Sequence, residues 1–299
     1  RGRRRYRGVR VGQATAEHSV PRTDKEVPNL TQVQDKIKAY YGDTVAANGQ
    51  HYASPRSNYA KQVRGITDSA RNYLAKAAGK KHHGKPAIVL DMDDTTLLTY
   101  NYELQVGFHH TEAAQDKYLA STDMAPVFGM DRLVNWARGK GYEVFFVTGR
   151  KEAQREWSVR NLKNVGYKVP LDRTHVFLKD KKNPPAYLPC GANCTTVQFK
   201  SGTRKHIESR GYDIVANFGD QYSDLNGATP TRPSSCRTRC TSCPDPPGGV
   251  RVPSSGALGD RDAHQVAGDG QLSFEAGRPG LALELRRVRV ALREVREDQ

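Results

Sequence analysis

Ala87-Ile88-Val89-Leu90-Asp91-Met92-Asp93-Asp94-Thr95 is the stretch that decides the fold: an unbroken apolar run ends on two carboxylates one residue apart. A short apolar run of this kind reads as a strand of a parallel sheet, covered on both faces, and open α/β sheets bind ligands beyond the carboxyl ends of such strands. A turn after the strand lets Asp91 and Asp93 converge on one phosphate and one hard cation, as phosphoryl transfer requires. The competing reading of an acidic pair is a solvated turn or a helix cap.

Three more segments extend the pattern. A second apolar run, 144–147, ends in Thr148-Gly149-Arg150. Lys200-Ser201-Gly202 stands ahead of a helix-like stretch, 203–210. A third run, 214–218, leads into Gly219-Asp220-Gln221-Tyr222-Ser223-Asp224. In this order the four segments resemble motifs I to IV of the haloacid dehalogenase (HAD) superfamily. The forms DMDDT, FFVTGR, KSGTRK and GDQYSDL resemble more narrowly its subfamily IIIB, the class B-type secreted bacterial acid phosphatases, over about residues 31–226. The resemblance implies that Thr148 and neighbouring backbone N–H groups hold a phosphate, that Lys200 faces it, and that Asp220 and Asp224 complete the ligands of a metal ion.

Each residue type suits that chemistry. An Asp carboxylate attacks phosphorus once cationic groups offset the repulsion between two anions, splitting hydrolysis into formation and breakdown of an acyl-phosphate; Asp91 takes this role. The second acid gives a proton to the leaving alcohol and later takes one from water; Asp93 takes that one. Mg²⁺ needs only a few carboxylates beside waters and a phosphate oxygen. Asp91, the backbone carbonyl of Asp93 and Asp220 suffice for it, with Asp224 direct or through water. Thr148, Lys200 and loop amides around Gly149 supply the positive charge and donors for the equatorial phosphoryl oxygens. Arg150 either makes a bidentate contact to the substrate or pairs with a surface carboxylate. Outside motif context, Lys200 would read as a solvated charge before a helix. His109-His110 reads as solvent-exposed and Lys80-Lys81-His82-His83 as a solvated linker.

The expected architecture is α/β: a HAD-like doubly wound parallel sheet with N-terminal helices and a small cap insertion. Leu30, Val33, Ile37 and Tyr40, then Tyr59, Val63, Ile66, Ala70 and Leu74, recur at helical spacing ahead of the first strand. Residues 100–128 are too long for a simple crossover and carry Tyr100, Tyr102 and Phe108, either to pack or to select a leaving group. Helices at 130–139, 152–165 and 203–210 then alternate with strands at 144–147, 174–178 and 214–218, the signature of a doubly wound sheet. The division expected is a basic leader of undetermined nature over 1–22, a phosphatase domain over 23–227 (helices 29–78, core 85–227), and a tail over 228–299.

That tail fits nothing in the resemblance. Synonymous codons for residues 228–243, read one base earlier, spell GHADPPFKLPNPMYFL, which is similar to how the family continues. Residues 228–299 hold 11 Arg and no Lys, whereas 11–227 hold 18 Lys. The tail therefore reads as an out-of-frame, disordered continuation, with a natural partner-binding tail as the competing reading. Of the formal charge of +15, the first ten residues contribute +6 and the tail +2, leaving +7 for 11–227. A moderately basic domain suits small anionic phosphate esters and calls for no nucleic acid. Cys236, Cys240 and Cys243 imitate a metal cluster inside the suspect frame, so zinc is not expected. Cys190 and Cys194 either close a small disulfide loop in an oxidising compartment or remain thiols. No apolar run reaches membrane-spanning length. The resemblance implies export, to the medium or cell envelope, and acid phosphatase activity. A phosphotransferase or nucleotidase of the same fold, and a non-catalytic binding or storage protein on the same scaffold, are the alternatives.

Overall fold

The computed structural model describes residues 29–226 and the backbone of Ser273–Ala276. In chain order the elements are α1 (Leu30–Tyr41), β1 (Thr44–Val45), β2 (His51–Tyr52), α2 (Asn58–Ala78), β3 (Lys85–Leu90), β4 (Leu97–Leu98), α3 (Tyr100–Gln105), α4 (Glu112–Ser121), β5 (Ala125–Pro126), α5 (Met130–Gly139), β6 (Glu143–Lys151), α6 (Arg155–Asn164), β7 (Val176–Lys179), α7 (Thr196–Ser209), β8 (Tyr212–Gly219), α8 (Tyr222–Leu225) and β9 (Ser273–Ala276).

The sheet order is β7-β6-β3-β8-β9. The first four strands run parallel, and β9 joins β8 antiparallel at the edge. The chain fills one side of β3 with β6 and β7, then crosses to β8 on the other, which creates a topological switch point beside the end of β3. The expected α/β sheet is thus present. The expectation of a disordered tail falls outside the described residues except at Ser273–Ala276, where four residues of paired strand depart from it.

Side chains alternate across the strands, and this splits the core in two. Ile88, Leu90, Val144, Phe146, Val176 and Leu178 face the layer that includes α2, α5 and α6, whereas Ala87, Val89, Phe145 and Val147 face Leu188, Phe199 and Ile207. The apolar spacing read for α2 is met by burial of Tyr59, Val63, Ala70 and Leu74. Leu30 stays exposed, so α1 is anchored by its end, where Tyr41 is buried. Tyr41 stacks between Tyr59 (4.3 Å) and Tyr100 (4.4 Å), tying both N-terminal helices to α3. Tyr100 and Tyr102 are buried in the core, so of the two roles open to them they take packing. His82 is no solvated linker residue either: its ring meets Asp213 at 3.1 Å and the Ala77 carbonyl at 3.0 Å.

The 100–128 insertion consists of α3, α4 and β5, and β5 pairs back onto β4 just ahead of it. Lys151 reaches Glu112 and Asp116 of α4 (3.3 and 3.0 Å), and Gln154 reaches Asp116 (2.7 Å), which fixes the insertion to the end of β6. Its return leg is held by Asn161, whose buried amide pairs with both backbone groups of Met124 at 2.8 Å. Asn161→Ala strands a buried N–H and a buried C=O together. It is expected to cost about 2–4 kcal/mol, read as a lower urea midpoint with the m-value unchanged; a midpoint equal to wild type contradicts the pairing.

Candidate active site

Asp91 follows directly on Leu90, and Leu90 pairs with Phe146 on β6 and Phe218 on β8. Asp91, Thr148 and Asp220 therefore stand one or two residues beyond a common level on three neighbouring strands, β6 itself running on to Lys151. The backbone N–H of Asp91 still donates to the Phe218 carbonyl (3.0 Å), so the first carboxylate leaves the sheet from a fixed backbone.

Lys200 comes from a different place than the sequence suggested. It lies inside α7 rather than ahead of a helix, because Thr195 and Gln198 form a reciprocal capping box that starts the helix at Thr196. Gly202 is the point where Leu188 packs against the helix so closely that a Cβ would collide with it. The segment before α7 is closed by a Cys190–Cys194 disulfide, which decides between the two readings of that pair. From α7, buried Lys200 places its Nζ 3.0 Å from Asp91 Oδ1 and in contact with Asp224 Oδ1.

Asp224 is held on all sides. Its Oδ2 accepts the Gln221 N–H at 3.0 Å, and its backbone carbonyl accepts from both Asn217 and Arg204. Gly219 has no room for a side chain, since a Cβ there would run into the Asp224 carboxylate. Asp91, Asp220 and Asp224 each bring a carboxylate oxygen within 4.8 Å of the others. Burial is the main force raising the Asp91 pKa, with Lys200 pulling against it and Asp224 and Asp93 adding to it. Asp220 is raised by burial, then by Asp91, Asp94 and Asp224. Lys200 loses by burial but gains more from Asp91 and Asp224, which hold it above the usual lysine range.

This cluster fits a divalent cation. Asp220 Oδ1 is buried with no hydrogen-bond partner among the described residues. All donors are hard oxygens, as Mg²⁺ or Ca²⁺ prefers. One ammonium among three acids also leaves negative charge for a cation to offset. The Asp93 carboxylate is not in the cluster; its expected contribution was a backbone carbonyl.

Asp93 points instead at Arg150. The guanidinium grips it with Nε at 3.0 Å and Nη2 at 2.6 Å, while Nη1 donates to Ser158 at 2.9 Å. Its side chain is 1% exposed. Arg150 thus pairs with a carboxylate, one at the site rather than on the surface, and its guanidinium nitrogens meet Asp93, Ser158 and Met124. Thr148 is fully buried with its Oγ1 accepting the Arg150 N–H at 3.2 Å, and the next residue, Gly149, is exposed.

Sequence reasoning missed Asp94, Asn217 and Arg204. Asp94 adopts a left-handed backbone (φ 51°), and its carboxylate accepts the Thr99 N–H (2.9 Å) and hydroxyl (2.6 Å). It thereby ties the loop carrying Asp93 to the start of α3. Burial, opposed by those Thr99 bonds, raises its pKa to about 6. Signals for the other two were present: Asn217 is an amide in an otherwise apolar strand, and Arg204 stands one helical turn beyond Lys200.

Residues 9–250 match the family model of the HAD superfamily, subfamily IIIB (acid phosphatase), a span that runs beyond the four motifs at both ends. The chain is 29% identical over 199 residues to vegetative storage protein 1 of Arabidopsis thaliana, covering 64% of this chain and 68% of that protein. It is 29% identical over 174 residues to acid phosphatase 1 of Solanum lycopersicum, covering 57% and 64%. The class C acid phosphatase from Bacillus anthracis shares the fold, with a TM-score of 0.50 at 21% identity over 66% of this chain and 72% of that one. The chain spans 68% and 64% of the lengths of the two curated relatives.

The crowding of acids fixes a sign for stability. Because the Asp220 pKa is raised on folding, ionising it in the folded chain costs free energy. Below about pH 4 the acid is protonated folded or unfolded and the cost vanishes; it grows as pH rises towards the folded value. Asp220→Asn is therefore expected to stabilise the metal-free protein at about pH 8 by on the order of a few kcal/mol, with the gap closing near pH 4. Thermal unfolding in EDTA at both pH values checks this, and a variant melting below wild type at about pH 8 contradicts it.

Proposed function

We propose that this chain, which belongs to HAD subfamily IIIB, the acid phosphatases, is a Mg²⁺-dependent phosphomonoesterase that works through an aspartyl-phosphate on Asp91. The observation that carries the reading is the meeting of Asp91, Lys200, Asp220 and Asp224, from three separate segments, at one end of the parallel sheet.

Asp91 attacks phosphorus, and Lys200 at 3.0 Å tempers the repulsion between this carboxylate and an anionic ester. The leaving oxygen takes its proton from Asp93, which the Arg150 fork holds in one orientation; in the second half-reaction Asp93 takes a proton from water. Arg150 is thus a positioning residue for Asp93, in place of the substrate contact considered from sequence. Thr148 and backbone amides near Gly149 bind the equatorial phosphoryl oxygens beside Lys200. Asp91, Asp220 and Asp224 are the side chains that would hold Mg²⁺, with the Asp93 carbonyl beside them. When bound, the ion supplies charge neutralisation of the transferring phosphoryl group. Oxidising surroundings outside the cytoplasm fit the Cys190–Cys194 disulfide, and none of the described helices is long and apolar enough to cross a membrane.

Similarity to a vegetative storage protein favours a second reading, a binding or storage role on the same scaffold. The two part on one experiment. With Mg²⁺ the wild type is expected to hydrolyse p-nitrophenyl phosphate with an acid optimum, and added alcohols test phosphotransfer by capturing the phosphate. Asp91→Asn is expected to lower turnover by at least about a thousandfold while circular dichroism and melting temperature change little. Full activity in the variant refutes the nucleophile, and an inert wild type favours storage.

A further inference from the structure

Lys179, the last residue of β7, is a cation at the site's end of the sheet that the reaction as described does not use. Pairing between β6 and β7 runs through Val147 with Phe177 and resumes at Lys151 with Lys179, so β6 uses four residues where β7 uses two, and Thr148-Gly149-Arg150 form an irregular bulge beside Lys179. Neighbouring strands lie about 5 Å apart. Lys179 therefore flanks the segment assigned to the phosphoryl oxygens, and it flanks Lys151, which anchors α4 of the insertion. A second contact ties it to α7. Lys179 Nζ donates to Thr196 Oγ1 at 2.8 Å. Thr196 opens α7 and Lys200 follows four residues later, so the two share a helix face with Cβ atoms about 6 Å apart. Lys179 thus meets α7 one turn before the residue whose ammonium lies 3.0 Å from Asp91.

Three neighbouring cations are neutralised within the protein. Arg150 grips Asp93, Lys151 meets Glu112 and Asp116, and Lys200 meets Asp91 and Asp224. Lys179 makes no ion pair among the described residues, and its hydrogen-bond partner there is a neutral hydroxyl. The next acid along the chain, Asp180, turns to its own loop, accepting the Lys182 and Asn183 N–H groups at 3.0 and 2.8 Å. Lys179 is half-buried rather than enclosed, and Gly149 and Lys181 are exposed, which leaves this corner open to a ligand. Burial, then Lys181 and Lys200, hold its pKa below the usual lysine range, so the ionised form is destabilised where it stands and a bound anion relieves it.

We propose that Lys179 is a specificity residue that binds a second anionic group, a phosphate or a carboxylate, carried by the leaving group of the ester. The proposal rests on the phosphatase reading and names its substrate class, esters with two anionic groups such as sugar bisphosphates and phosphorylated hydroxy acids. Because α4 is bonded to the register partner of Lys179, a leaving group that extends from Thr148 towards α4 passes beside this ammonium. The Thr196 hydroxyl already orients the long side chain, which lowers the ordering cost of binding. A lysine acts on phosphate and carboxylate alike as a point charge.

The test uses the full chain with Mg²⁺ and two pairs of substrates: fructose 1,6-bisphosphate against fructose 6-phosphate for a second phosphate, and 3-phosphoglycerate against glycerol 3-phosphate for a carboxylate. Lys179→Gln removes the charge and keeps a donor for Thr196. It is expected to lower the kcat/KM ratio of the doubly to the singly anionic ester by about tenfold in at least one pair, chiefly through KM, and the pair that falls identifies the group bound. Lys179→Arg is expected to retain most of the preference. Should Lys179→Gln fail to fold, Lys179→Met is expected to lose the same preference. Unchanged ratios in both pairs with an active enzyme overturn the role of Lys179 and leave the phosphatase reading standing. Equal losses on all the esters overturn it as well, since they mark a merely structural role. A wild type inert on every ester overturns the phosphatase reading and this proposal together.

Discussion

Three carboxylates converge on a single buried ammonium, and the rest of the structure exists to hold them there. Asp91, Asp220 and Asp224 repel one another at close range in surroundings that already penalise charge, and Lys200 touches only two of them. Nothing in such a cluster favours folding by itself. It persists because the parallel sheet fixes the Asp91 backbone to β8, because capping starts α7 early enough to bring Lys200 inward, and because Arg204, Asn217 and Gly219 lock the position of Asp224. An unbalanced, preorganised charge is what a site for a cation and a phosphoryl group requires.

A second layer of control concerns Asp93. It does not join the acidic cluster but turns to Arg150, which is itself fixed by Ser158 and Met124. The two acids of the DxD pair are thus separated by their partners, an ammonium for one and a guanidinium for the other. Asp94 then couples the same loop to α3, and α3 is stacked through Tyr100 onto Tyr41 and so onto the N-terminal helices. The helices before the first strand therefore brace α3 and, through it, the loop that carries Asp93 and Asp94.

Most of the fold was legible because its signals are local. Apolar runs ending in acids or in Thr-Gly announced the strands, and 130–139 read as a helix in the sequence is α5 to the residue. What escaped were features that depend on distant partners. Arg150 could have met substrate or protein, and only the fold, by bringing α6 and the β3 loop together, selects Asp93 and Ser158. The roles of Tyr100 and Tyr102 were open for the same reason, since burial is a property of the assembled layers. The edge strand Ser273–Ala276 lay in a stretch whose composition promised no order.

The central claim is that these acids share one cation while Asp91 alone receives the phosphoryl group. Its most direct measurement is a crystal structure of the protein with Mg²⁺ and beryllium fluoride, a mimic of a phosphorylated carboxylate. The account predicts trifluoroberyllate on Asp91, beside Lys200 and Thr148, and one magnesium ion reached by Asp91 and Asp220. Trifluoroberyllate on Asp93, or magnesium held away from Asp91 and Asp220, would contradict it.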